Sequence, residues 1–106
     1  MQNLISQPDV DALIDTDEAI LLKHGARCPV SARARDELSA FMASHPDVVV
    51  ASLEVTANGA LSRYAAERLG VEHESPQILL VRRGAVAWHA EHYAITADRL
   101  GAQLKR

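Results

Sequence analysis

Short apolar runs alternate with amphipathic segments along this chain, and this alternation limits the folds that it can adopt. The runs are AILL at 19–22, VVVASL at 48–53, ILLV at 78–81 and AVAW at 85–88. Apolar, partly β-branched runs of this length are typical of strands that are buried in a sheet. Only Arg82-Arg83-Gly84 separates the last two runs, which predicts an antiparallel hairpin.

Four segments outside these runs have the period of an α-helix. They comprise a helix capped by Ser6, a helix that begins at Pro29, a helix that ends at Gly70 and a helix that begins at Thr96. The predicted order of elements is therefore α-β-α-β-α-β-β-α. This order predicts an α/β protein of the thioredoxin-like fold, with a four-stranded mixed sheet flanked by helices and an extra helix at the N-terminus.

Composition narrows the classes of function. At 106 residues, without repeats or linkers, we expect one domain spanning 1–106. The net charge of −3 gives no reason to expect nucleic acid or a membrane as a partner. No apolar run approaches the roughly 18 residues of a membrane span. The single cysteine cannot form an internal disulfide, so we expect a cytoplasmic protein.

That cysteine, Cys28, lies in the segment KHGARCPVS, between the first predicted strand and the next helix. Unpaired N–H groups and the helix dipole favour an anion at such a position by about 0.3–1 kcal/mol. Pro29 suits the first helical position. One hydroxyl and three bases nearby are expected to stabilise the thiolate further: Ser31, Lys23, Arg27 and His24. We predict a thiol pKa below the usual value of about 8.5.

In thiol-disulfide exchange, a lowered pKa would improve Cys28 as a leaving group more than as a nucleophile. The fraction of thiolate rises as the pKa falls, but the nucleophilicity of that thiolate falls in nearly the same proportion. A thiol of low pKa is, however, a good leaving group. Cys28 therefore suits a site that holds a small thiol as a mixed disulfide until a second thiol removes it.

Two separated segments, KHGARCPVSARA and VEHESPQILLVRRGAVAWHAEHYAIT, resemble the monothiol bacilliredoxin family. The resemblance implies a thioredoxin fold and a monothiol thiol-disulfide oxidoreductase. Such an enzyme removes bacillithiol, or a similar low-molecular-weight thiol, from protein mixed disulfides. Bacillithiol would be a co-substrate, no cofactor or metal would be bound, and the partners would be bacillithiolated client proteins and a low-molecular-weight thiol.

The resemblance also implies roles for individual residues. Cys28 would be the redox cysteine, and Ser31 stands where dithiol relatives have a resolving cysteine. Pro76 would be a cis-proline, with the backbone of Ser75 pairing with substrate beside Cys28. We assign Pro29 to substrate binding as well. Gly25 departs from the family pattern, in which we expect a serine, and one hydrogen bond near the site is then missing.

Other interpretations remain open from the sequence. The cysteine could be incidental in a thioredoxin-fold binding module, or the chain could be an iron–sulfur carrier like the monothiol glutaredoxins. The motif of those carriers is Cys-Gly-Phe-Ser, and CPVS lacks its glycine. His73, His89 and His92 do not complete a recognisable set of metal ligands. Arg33 and Glu37 have the i,i+4 spacing of an ion pair on a solvated helix face.

Overall fold

The chain forms a mixed sheet with helices on both faces, and the computed structural model describes residues 1–104. The strands are β1 (Gln2–Asn3), β2 (Glu18–His24), β3 (Val49–Glu54), β4 (Gln77–Arg82) and β5 (Ala85–Glu91). The helices are α1 (Gln7–Ile14), α2 (Pro29–Ser44), α3 (Gly59–Leu69) and α4 (Ala97–Leu104), with a 3₁₀ turn at His92–Ala94. Within residues 1–104, no helix is long and apolar enough to cross a bilayer.

The sheet has five strands in the order β1-β3-β2-β4-β5, so the prediction of four strands is wrong. The additional strand is β1, in which Gln2 and Asn3 pair in parallel with Ala51 and Ser52. A two-residue edge strand with exposed side chains is too short to show the alternation that marks a strand in sequence. The other pairings agree with the predicted layout: β2 and β3 are parallel, while β4 is antiparallel to β2 and β5.

The central strand β2 is apolar on both faces because each face is covered by helices. Ala19 and Leu21 pack into a cluster with residues of α1 and α3, whereas Ile20 and Leu22 pack into a second cluster with residues of α2 and α4. All four side chains are fully buried. Burying Ile20, Leu21 and Leu22 contributes roughly 1.5–3 kcal/mol each, and the smaller Ala19 contributes less. This burial fixes the position and direction of β2.

Helix ends form as their sequences predict. The hydroxyl of Ser6 accepts a hydrogen bond of 3.3 Å from the N–H of Asp9 at the start of α1. Gly70 ends α3 with a positive φ of 68°, a conformation that glycine adopts without strain. The hydroxyl of Thr96 accepts a hydrogen bond of 3.1 Å from the N–H of Arg99 and caps α4.

This topology brings two parts of the sequence to one end of the sheet. Strand β2 ends at His24, and α2 begins at Pro29 after a short loop. Strand β4 begins at Gln77, directly opposite Lys23 of β2. The loop that carries Cys28 and the segment that ends at Pro76 therefore lie side by side.

Candidate active site

Cys28 is the residue that caps the N-terminus of α2. Its φ of −87° and ψ of 123° are extended, and Pro29 begins the helix. The preceding loop is closed by a hydrogen bond of 3.4 Å from the N–H of Cys28 to the carbonyl of Gly25. The cysteine is partly exposed, so its sulfur lies at a helix N-terminus that solvent can reach.

Interactions with α2 lower the pKa of the Cys28 thiol. The largest influence is the backbone N–H of Ser31, followed by the hydroxyl of the same residue; the N–H of Val30 and the charge of Arg35 contribute less, and partial burial opposes them. Within the described part of the chain, the side chain of Cys28 forms no capping hydrogen bond of ordinary geometry. An N–H that is poorly placed for a neutral thiol still attracts a full negative charge, so these groups favour the thiolate.

Ser31 lies beneath the cysteine and is fully buried, with 0% of its surface exposed. Its hydroxyl oxygen accepts a hydrogen bond of 3.0 Å from the backbone N–H of Gly25. That bond uses the oxygen as acceptor and leaves the O–H as a donor, which can point at the sulfur. The sequence predicted a hydroxyl directed back at the cysteine, and the geometry of Ser31 fits that role.

Arg35 is the basic residue whose charge lowers the pKa of Cys28, and the sequence did not predict this role for it. Its Nη1 lies 3.1 Å from His24 Nδ1 and donates a hydrogen bond of 3.2 Å to the carbonyl of Gly25. Burial and the charge of Arg35 together lower the pKa of His24. His24 is therefore expected to be neutral near pH 7, which limits the positive potential that it can supply.

Lys23 lies on the face of the sheet that α3 covers. Its side chain is 0% exposed, and its Nζ donates a hydrogen bond of 3.3 Å to the carbonyl of Ser62 in α3. Burial lowers the pKa of Lys23 to about 8. Lys23 is thus a buried cation behind the site rather than a surface charge beside the sulfur.

The remaining residues predicted from the cysteine segment, Arg27 and Pro29, are both exposed. Arg27 precedes Cys28, and no hydrogen bond or ion pair joins its side chain to another described residue. Pro29 follows the cysteine at the surface, where a client could reach it. Their roles in thiolate stabilisation and substrate binding stay predictions.

The bond between Ser75 and Pro76 is cis, as the resemblance implies. Pro76 is buried and Ser75 is partly exposed. The carbonyl of Pro76 accepts a hydrogen bond of 3.0 Å from the N–H of His92, which ties the turn after β5 to this proline. Strand β4 follows at once, so Ser75 and Pro76 lie at the same end of the sheet as Cys28.

A polar row crosses the sheet behind this proline. Gln77 pairs with Lys23 on one side and with Glu91 on the other. Gln77 Nε2 donates hydrogen bonds to the carbonyl of Glu72 at 2.9 Å and to Glu91 Oε2 at 3.0 Å. Gln77 Oε1 is buried and has no hydrogen-bond partner among the described residues.

Glu54 holds the loop before Cys28 and was not predicted from the sequence. Its carboxylate accepts a hydrogen bond of 3.0 Å from the N–H of Ala26, and further bonds from Thr56 and Ala57. These N–H groups lower its pKa, that of Ala57 most strongly. Glu54 ends β3, next to His24 in register, but an acidic residue after an apolar run gives no sign that it will cap a distant loop.

The sequence matches the family described as monothiol bacilliredoxin BrxC over residues 2–100. The chain belongs to the monothiol bacilliredoxin family. Membership agrees with the single cysteine at the start of α2 and with the cis-proline beside it. It supports a thiol redox role for the protein.

Solved structures show the same fold. A thioredoxin-fold protein described as an oxidoreductase is 30% identical, with a TM-score of 0.90 over 98% of this chain and 93% of its own. Mitochondrial thioredoxin 3 from Saccharomyces cerevisiae is 13% identical, with a TM-score of 0.77 over 98% of this chain and 92% of its own. Thioredoxin from Fasciola hepatica is 16% identical, with a TM-score of 0.75 over 98% and 96%. The two thioredoxins establish the fold alone.

Proposed function

We propose that this protein removes bacillithiol from mixed disulfides on client proteins by a monothiol mechanism. The observation that carries the proposal is the setting of Cys28: a partly exposed thiol of lowered pKa, with the hydroxyl of Ser31 where a second sulfur would otherwise stand. Membership of the monothiol bacilliredoxin family supports bacillithiol as the thiol that is transferred.

In the first step, the Cys28 thiolate attacks the bacillithiol sulfur of a modified client. A disulfide forms between Cys28 and bacillithiol while the disulfide between bacillithiol and the client breaks. The bonding electron pair of the broken disulfide leaves with the client cysteine, which departs as a thiolate. No net electron is gained or lost, because one disulfide replaces another.

In the second step, an outside thiolate attacks the bacillithiol sulfur and displaces Cys28. The new disulfide joins bacillithiol to that thiol, and Cys28 leaves as a thiolate. Lowering the pKa of Cys28 makes it a better leaving group and so favours this step. Ser31 cannot complete the release from within, because a hydroxyl does not form a disulfide.

The neighbouring residues have supporting roles in this scheme. Ser31 and Arg35 stabilise the anion at Cys28, and Lys23 and Arg27 are proposed to add positive potential. His24 is proposed to support the thiolate indirectly, as a neutral partner that helps to hold Arg35. Ser75, Pro76 and Pro29 form the surface that receives the client, with the Ser75 backbone as the pairing edge. The partners are bacillithiolated proteins and a low-molecular-weight thiol, the compartment is the reducing cytoplasm, and no bound cofactor is required.

The test follows bacillithiol from one protein to the other. A bacillithiolated client protein is mixed with the wild-type chain, and the masses of both proteins are recorded over time. The expected result is loss of the bacillithiol mass from the client and its appearance on Cys28, in equal amounts. Cys28→Ser should give no transfer, and Ser39→Ala, a change at an exposed serine of the same helix, should leave transfer unchanged. Reduction of the client without any adduct on Cys28 would contradict the scheme.

A further inference from the structure

An arginine and an exposed tyrosine form a fixed pair beside the candidate site. The guanidinium of Arg33 lies 5.4 Å from the centre of the Tyr93 ring, and its Nη1 donates a hydrogen bond of 3.5 Å to the carbonyl of Tyr93. Tyr93 is 65% exposed. The other large, exposed apolar side chains, Met1, Ile5 and Val49, belong to or adjoin β1 and β3, away from this pair.

Both members of the pair are tied to the elements that form the site. Arg33 is five residues after Cys28 on α2, about 7.5 Å along the helix axis, and helical side chains lean back towards the N-terminus. This lean directs the Arg33 side chain towards the end of the helix that begins after Cys28. Tyr93 follows His92, whose N–H is bonded to the carbonyl of Pro76. The pair thus links the helix that begins at the cysteine to the turn that is bonded to the cis-proline.

Arg33 has no carboxylate partner among the described residues, although the sequence offers one. The predicted ion pair with Glu37 is absent from the described structure because Glu37 Oε1 accepts a hydrogen bond of 2.9 Å from the N–H of Ala97. Two arginines elsewhere in the fold have a carboxylate partner: Arg68 pairs with Asp11, and Arg82 pairs with Glu18. Arg33 therefore presents donors that can still bind an anion.

We infer that Arg33 and Tyr93 form a subsite for the part of the transferred thiol that lies beyond its sulfur. This inference rests on the proposed function and names the residues that would contact bacillithiol beyond its sulfur. In bacillithiol a glucosamine ring joins the cysteine to malate. The Tyr93 ring offers a flat face for the sugar, and the guanidinium of Arg33 offers paired donors for the malate carboxylates.

The charge around the site agrees with an anionic thiol. Arg27, on the other flank of Cys28, is also exposed and has no ion-pair partner among residues 1–104. Arg35, in contrast, already contacts His24 and donates a hydrogen bond to the carbonyl of Gly25, and it is only partly exposed. Arg33 differs from Arg27 because its head group lies against the Tyr93 ring and is hydrogen-bonded to the Tyr93 carbonyl. A cation that is already held in position loses less side-chain entropy on binding.

The experiment compares three adducts of one client protein: bacillithiol, cysteinyl-glucosamine, which lacks malate, and cysteine. The rate constant for transfer to Cys28 is measured for each by mass spectrometry. For the wild type we expect transfer from the bacillithiol adduct to be about fivefold faster than from the cysteinyl-glucosamine adduct, equivalent to about 1 kcal/mol. Arg33→Gln should abolish this ratio and leave the rate with cysteinyl-glucosamine unchanged. Tyr93→Leu should slow both sugar-bearing adducts about threefold relative to the cysteine adduct.

Arg99→Gln is the matched control, because Arg99 is exposed on α4 and should not alter any ratio. The thiol pKa of Cys28 is measured in Arg33→Gln to separate binding from a general electrostatic effect, and it should not change. If Arg33→Gln keeps the malate preference, or slows all three adducts in proportion, the subsite is wrong while the proposed function stands. If the wild type transfers none of the three adducts to Cys28, the proposed function fails and the subsite with it.

Discussion

The hydroxyl oxygen of Ser31 and the backbone N–H of Gly25 are joined by a hydrogen bond of 3.0 Å in the buried space beneath Cys28. The bond connects the first turn of α2 to the loop that leads from β2. It also fixes the orientation of the hydroxyl, whose own hydrogen remains available to the sulfur. One buried side chain therefore shapes the loop and stabilises the thiolate.

Replacing Ser31 with alanine should raise the thiol pKa of Cys28, because the hydroxyl contribution is lost while the backbone N–H groups remain. It should also destabilise the fold by about 1–3 kcal/mol, because the buried N–H of Gly25 loses its partner. Ultraviolet titration of the thiolate and urea unfolding measure the two effects. Ser39→Ala, on the exposed side of the same helix, should change neither. An unaltered thiol pKa in Ser31→Ala would show that the hydroxyl does not act on the sulfur.

Replacing Arg35 with glutamine should raise the pKa of two groups at once. The positive charge of Arg35 lowers the pKa of both Cys28 and His24. Without that charge, the Cys28 thiolate is less stable and the His24 imidazolium is more stable, so both pKa values rise. The shift at Cys28 should shrink as salt is added, because ions screen charges near the surface. Proton NMR of His24 and thiolate absorbance follow the two titrations, with Arg99→Gln as the charge-matched control. Movement of only one of the two pKa values would contradict this placement of Arg35.

Replacing Lys23 with methionine should change how stability depends on pH. Burial lowers the pKa of Lys23 from 10.5 to about 8, so between these values the unfolded chain binds more protons than the folded chain. Unfolding free energy of the wild type should therefore rise with pH from about 8 to 10.5. Burial of the protonated Lys23 side chain lowers the unfolding free energy by an amount on the order of 3 kcal/mol, and this cost is present in full below pH 8.

Urea unfolding of the wild type and Lys23→Met across pH 7 to 10 tests this, because other titrating groups cancel in the difference. The advantage of the variant should be largest at pH 7 and should diminish towards pH 10. A difference that is constant over this range would mean that Lys23 titrates normally in the folded protein.

Replacing Gly25 with alanine should stabilise the protein by about 0.4–1 kcal/mol. A Cβ atom at this position would lie 3.6 Å from Cys28 Cβ and 3.6 Å from Thr56 Oγ1, which are ordinary van der Waals contacts. Gly25 does not have a positive φ, so alanine loses less backbone entropy on folding without adding strain. Gly70→Ala is the contrasting control, because a φ of 68° penalises any side chain. Thermal unfolding should move the two variants in opposite directions.

The sequence predicts most of the fold because the spacing of apolar residues and the capping residues determine each helix and strand from nearby sequence. The buried strands are visible as AILL, VVVASL and ILLV, although the true strands extend further. Strand β2 includes Lys23 and His24, and because these residues are polar, the apolar run does not mark where the strand ends. Strand β1 is invisible for a different reason: Gln2 and Asn3 become a strand only because Ala51 and Ser52 present an open sheet edge.

The site is predictable where contacts are local and unpredictable where they depend on the folded loop. Ser31 is one helical turn from Cys28, so its approach to the sulfur follows from the start of the helix. Arg35 is two turns away and acts by its charge, and its guanidinium is held by the loop carbonyl of Gly25, which only the tertiary structure brings within reach. Lys23 looks like a surface base in sequence, but the alternation of β2 directs its side chain into the face covered by α3.

The oxygen of Ser31 has a kinetic consequence for the proposed cycle. Where two sulfurs lie together, a bound thiol can be expelled within one molecule at a rate independent of the surroundings. Here expulsion needs a collision, so the lifetime of the loaded state scales inversely with the concentration of free thiol. A cell whose thiol pool is depleted would accumulate the loaded form, and the fraction of loaded protein would then report the state of that pool.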